Sequence, residues 1–191
     1  MKDFYDLLIE LNACDSAINW SGNKPIEQVV KECHRGDWML WLAYKVGVDK
    51  RKLTLAKALC AKTVIHLMED DRSKKFVEVA ENYGNGLATD EELVDAAYEA
   101  DIVISKIDTG DVTNNYAAHA AAHAAASMNN NTGAIASSAA TAVGTAAADD
   151  ATDVDTAATA AIQENQLKTA DICREVLGDI IIQKVNELLN K

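Results

Sequence analysis

Proline occurs once in this chain, at Pro25, phenylalanine only twice, and no run of alternating branched residues offers a half-buried strand. With β-formers so sparse and alanine so frequent over 191 residues, helices are the favoured outcome. Nowhere do the roughly 18 consecutive apolar residues of a membrane span occur. The start, Met1-Lys2-Asp3-Phe4-Tyr5-Asp6, carries early acids where a secretion signal needs an apolar core. Cys14, Cys33, Cys60 and Cys173 form no C-x-x-C pair, so reduced, buried thiols of a cytoplasmic protein are expected. No G-x-S-x-G, phosphate loop, dinucleotide fingerprint or kinase motif is present, which points away from an enzyme and implies no cofactor. Positive charge is scarce as well. Eighteen Lys and Arg against 30 Asp and Glu leave a net charge of −12, which argues against a nucleic-acid or anionic membrane partner, favours solubility and permits a basic partner.

What the chain does have is Cys33-His34-Arg35-Gly36-Asp37-Trp38-Met39-Leu40-Trp41-Leu42-Ala43, with two of its three tryptophans. Gly36 is a poor helix residue, and Asp37 after it is expected to cap a new helix. Trp38, Trp41, Leu42 and Lys45 then share one face, with Met39 and Leu40 at its sides. Each indole buries about 200 Å². The pair is therefore expected to form the floor of the core, and the alternative is a stacking surface for a ligand.

The rest reads as an all-α, single-domain, layered multi-helix bundle over residues 1–191. An aromatic and leucine-rich half (1–106) precedes an alanine-rich half with the C-terminal helices (107–191). Helices are expected at 3–12, from Asp15-Ser16 to Gly22, from Pro25, and from an Asp49 cap to about Glu69. Lys50, Arg51, Lys52, Lys57 and Lys62 make that last helix the most basic, its charge mostly facing solvent. Arg51 is expected near the tryptophan helix, within reach of an acid. Gly84-Asn85-Gly86 ends a further helix, and Thr89-Asp90-Glu91-Glu92 is a capping box that opens the next. From Ala117 to Ala161 about half the residues are alanine, expected as two helical arms split at Asn129–Gly133. Breaks are also expected near Asp108–Gly110, at Asp149-Asp150 and at Gly178.

Candidate chemistry is thin. His119 and His123 have zinc-ligand spacing, with Asp111 and Asn115 continuing their face, but Ala120 stands where the metalloprotease motif needs glutamate. Two polar residues on an alanine helix is the favoured reading, and no metal is expected. Asp171 and Arg174, three apart, pair with each other or join Asp37 and Arg51 in a charged cluster at a helix junction. Acids at Glu69–Asp71, Asp90–Glu92 and Asp149–Asp155 either offset helix dipoles or form a negative surface that docks a basic protein.

The tryptophan run resembles the signature of a family of bacterial and phage proteins described as immunity proteins. So do Val48-Asp49-Lys50-Arg51-Lys52-Leu53-Thr54-Leu55-Ala56, the alanine-rich middle and the late Ala170-Asp171-Ile172-Cys173-Arg174, in the same order over nearly the whole chain. The resemblance implies a non-enzymatic protein that neutralises a toxin or effector by occlusion. Binding residues are sought among Arg35, Asp37, Trp38, Trp41, Arg51, Asp171 and Arg174. The alternative is a phage or prophage anti-defence protein that sequesters a small, anionic, nucleotide-like signalling molecule or inhibits a host defence protein. Arg35, Arg51 or Arg174 would supply its positive charge.

Overall fold

In the computed structural model, residues 3–104, 134–149 and 153–190 are described, and all their regular elements are helical. The order is α1 (Phe4–Glu10), α2 (Asp15–Ser21), α3 (Ile26–Glu32), α4 (Gly36–Lys45) and α5 (Lys50–Lys62). A 3-10 turn (Ile65–Leu67), α6 (Asp71–Gly84), α7 (Asp90–Ile104), α8 (Ala134–Asp149) and α9 (Val154–Leu189) follow. The molecule is an all-α multi-helix bundle. Among the described residues no helix is long and apolar enough to cross a membrane. His119, His123, Asp111, Asn115 and the breaks at Asp108–Gly110 and Asn129–Gly133 lie outside the described residues.

Local chemistry starts several helices. Asp3 and Asp6 form a reciprocal cap on α1, and Asp49 accepts from the backbone N–H groups of Arg51 and Lys52 at 2.9 and 3.4 Å. The expected capping box closes α7, Glu92 N–H donating to Thr89 Oγ1 (3.2 Å) and Thr89 N–H to Glu92 Oε2 (2.8 Å). Each such cap is worth about 1 kcal/mol.

The long α9 is the spine. It packs against α8, α4, α5 and α3, and buries Ala170, Cys173, Leu177, Ile181 and Val185 along one stripe. Gly178 was expected to break the chain here, yet α9 runs through it. A Cβ at that position would stand 3.2 Å from Val30 Cγ1, so the glycine makes room for α3. Gly36 has a similar reason. It is the first residue of α4, with Arg35 in the cap position, because a Cβ there would lie 2.6 Å from Thr169 Oγ1 on α9. Asp37 therefore does not cap α4.

That contact also turns α4 the other way from expectation. Gly36, Met39, Leu40 and Ala43 face inward and are buried, whereas Trp38 and Trp41 are half-buried at the edge of the core. The core continues through Ala56, Cys60, Phe76, Val77 and Ala80. Helix α5 stops at Lys62, short of Glu69, where the β-branched run Thr63-Val64-Ile65 begins and the Thr63 hydroxyl donates to the Cys60 carbonyl at 2.7 Å. All four cysteines are free thiols. Cys14 is exposed, contrary to expectation, while Cys60 and Cys173 are buried with their sulfurs 3.9 Å apart.

Candidate functional site

A left-handed residue at Asn12 (φ 60°) closes α1, its N–H donating to Ile9 O at 3.0 Å, and the chain turns directly into α2. Trp20 near the end of α2 is thereby brought opposite the outer side of α4. Between them opens a cleft of about 680 Å³, with Leu8, Val29, Val30, Leu42 and Ile181 beneath and Trp20, Trp38 and Trp41 at its walls. The rings of Trp20 and Trp38 have centroids 5.9 Å apart, tilted at 54°. His34 sits edge-on to both, at 5.5 and 5.9 Å. Offset contacts of this kind add about 1 kcal/mol each beyond burial. Each indole also has its own cation: Lys24 at 4.0 Å from Trp20, Arg35 at 4.9 Å from Trp38, and Lys45 at 5.7 Å from Trp41.

Arg35 and Asp37 form a two-pronged pair at one wall. Nε donates to Oδ1 at 2.8 Å and Nη2 to Oδ2 at 2.6 Å. The Ser137 hydroxyl, from α8, donates to Oδ2 at 3.3 Å and ties the alanine-rich half to the cleft. The bonds to Asp37 raise the guanidinium further above its ordinary value. Four of the residues sought from sequence therefore meet here: Arg35, Asp37, Trp38 and Trp41.

The other three lie elsewhere and are structural fasteners. Arg174 donates from Nε to Val30 O (2.9 Å) and from Nη2 to Cys33 O (2.7 Å), satisfying carbonyls that the end of α3 leaves open. It also binds Asp171 on its own helix. Arg51 donates to the carbonyls of Tyr83 (2.7 Å) and Ala88 (3.3 Å) and stacks on the Tyr83 ring at 4.2 Å. It thus locks the α6–α7 turn rather than reaching an acid near α4. Lys50 and the Tyr83 hydroxyl both donate to Asp90 Oδ1, at 2.6 and 2.9 Å, and hold that carboxyl below the usual range. Asp37, Arg51, Asp171 and Arg174 accordingly divide among three sets of partners instead of one cluster.

Sequence reasoning missed Lys57. It is 1% exposed, and no carboxylate pairs with it among the described residues. Burial lowers its ammonium to about 8. The available signal was its spacing, since buried Leu53 and Ala61 lie four residues to either side.

A second surface stands apart from the cleft. Leu87, Val94 and Tyr98 are 77%, 64% and 67% exposed, with exposed Glu91, Asp95 and Glu99 interleaved along α7. A groove of about 570 Å³ runs beside them between α6 and α7, edged by Leu87, Glu92, Asp95 and Glu99 on one side and Arg72 and Lys75 on the other. Among the described residues no three His, Cys, Asp or Glu side chains are placed to hold a metal ion.

No protein-family model, curated protein or solved structure matches this chain.

Proposed function

We propose that this protein is a non-enzymatic, cytoplasmic binding protein that neutralises a basic toxin or effector by covering it, as the resemblance to immunity proteins implies. The observation that carries this reading is the outward side of α7, where Val94 and Tyr98 stand exposed among Glu91, Asp95 and Glu99. An apolar anchor ringed by acids suits a positively charged partner: the ring steers encounter, and the anchor supplies the desolvated centre. A net charge of −12 extends the attraction beyond contact distance. The second reading, capture of an anionic nucleotide-like molecule, is weakened by the arginines that were to supply its charge. Arg35 is neutralised by Asp37, and Arg51 and Arg174 are committed to backbone carbonyls.

Co-expression with the proteins encoded beside it tests the proposal. The wild-type chain is expected to relieve the toxicity of one of them and to bind it with an affinity that falls steeply with salt. The double substitution Val94→Arg, Tyr98→Arg is expected to abolish both effects without lowering the melting temperature. Failure to protect against, or bind, any such neighbour overturns the reading.

A further inference from the structure

Docking on α7 leaves the tryptophan cleft unused. Within it, Arg35 commits Nε–H and one Nη2–H to Asp37, while Nη1 makes no hydrogen bond among the described residues. The charges of the pair cancel, so the remaining N–H groups offer hydrogen bonds without requiring an anion. Around them the walls are indole and aliphatic, and the volume of about 680 Å³ lies in the range of about 300–1,000 Å³ that holds small ligands. Trp20, Trp38 and Trp41 are each half-buried at the edge of the core, so part of each indole faces the cleft.

We propose that this cleft binds a flat, uncharged heteroaromatic molecule stacked on the indoles, with carbonyl or ring-nitrogen acceptors turned toward the free N–H groups of Arg35. A phosphorylated form of the same ring is disfavoured, because Asp37 already neutralises Arg35 and the chain as a whole is strongly negative. The proposal is independent of the surface on α7.

The test uses the full chain and three related probes: lumichrome, riboflavin, and FMN as the phosphorylated counterpart. Titrations are followed by quenching of tryptophan emission and by calorimetry. Lumichrome and riboflavin are expected to bind with one site per chain, and FMN at least about tenfold more weakly than riboflavin. Trp38→Leu is expected to weaken riboflavin by about tenfold, the loss of one stacked ring. Arg35→Lys keeps the charge pair but loses the donor fork, and is expected to weaken it similarly. Val94→Arg on α7 leaves it unchanged. Should Trp38→Leu fail to fold, Trp20→Leu provides the same comparison on the neighbouring indole. Binding of FMN as tight as riboflavin overturns the proposal, as does riboflavin binding indifferent to both tryptophan substitutions. Absence of quenching by all three probes overturns it too.

Discussion

Lys57 places a cationic side chain in the core. Its side chain is buried on α5 with no carboxylate partner among the described residues, and desolvation lowers its pKa from 10.5 to about 8. At about 1.4 kcal/mol per unit, keeping this group charged costs the folded state about 3 kcal/mol at neutral pH. The sign follows from proton counting. Between about 8 and 10.5 the unfolded chain still holds a proton that the folded chain has released, so stability rises with pH across that window. Below it both states are charged, and the full penalty applies. Replacing the amine with an apolar side chain of similar length, Lys57→Met, removes the penalty. The variant is expected to be more stable than wild type by about 3 kcal/mol at pH 7, but by only about 1.4 kcal/mol at pH 9.5. Urea unfolding of both proteins at both pH values, followed by far-ultraviolet circular dichroism, measures the gap. Taking the difference between the two proteins cancels groups they share. A gap that is the same at both pH values, or a Lys57→Met protein less stable at pH 7, refutes the reasoning.

Three further outcomes follow from the packing. Gly36→Ala would place a Cβ 2.6 Å from Thr169 Oγ1 and 2.8 Å from its carbonyl carbon, so a loss of about 2 kcal/mol is expected in thermal or urea unfolding. Arg174→Met strips the Val30 and Cys33 carbonyls of their donors and is expected to cost about 2 kcal/mol, with faster amide exchange in α3. Arg174→Lys recovers little, since an ammonium lacks the planar fork that reaches both oxygens. In the native protein at pH 8 a disulfide reagent should titrate Cys14 first, the other three thiols reacting only after denaturant is added. Burial pushes the Cys33 thiol up, and the neighbouring Cys60 does the same for Cys173, which reinforces that order.

What could be read from the sequence was whatever is settled within a turn or two of chain. Thr89 and Glu92 cap each other, and Asp49 caps α5, because donor and acceptor are near neighbours whatever the fold. Gly36 and Gly178 were misread for the opposite reason. Locally each looks like a helix breaker, but Thr169 and Val30, from the other end of the chain, are what require them. The same distant contact decided α4. Its residues are apolar most of the way round, so periodicity alone left its inward side open. The close approach of α9 at Gly36 then selected the narrow line of Gly36, Leu40 and Ala43 and left the bulky indoles at the rim. Lys57 escaped notice because it was grouped with Lys50, Arg51, Lys52 and Lys62 as the solvated charge of one basic helix, although its immediate neighbours are Ala56 and Ala58.

The placement of the cations links the cleft to the outer surface. Arg51 and Arg174 bind carbonyls, Arg35 binds Asp37, Lys24 lies over Trp20, and Lys57 is buried. Arg35, Arg51 and Arg174 are thereby committed to partners within the protein, whereas Glu91, Glu92, Asp95 and Glu99 on α7 remain exposed. A phosphate approaching the cleft therefore meets a strongly acidic molecule and a guanidinium already matched to a carboxylate. An uncharged ring meets neither obstacle, and loses little hydration on entering. A basic protein surface approaching α7 would meet exposed Glu91, Asp95 and Glu99 around exposed Val94 and Tyr98. If both proposals hold, the commitment of these arginines within the protein and the exposure of the acids on α7 would suit the two sites to ligands of different charge for one electrostatic reason.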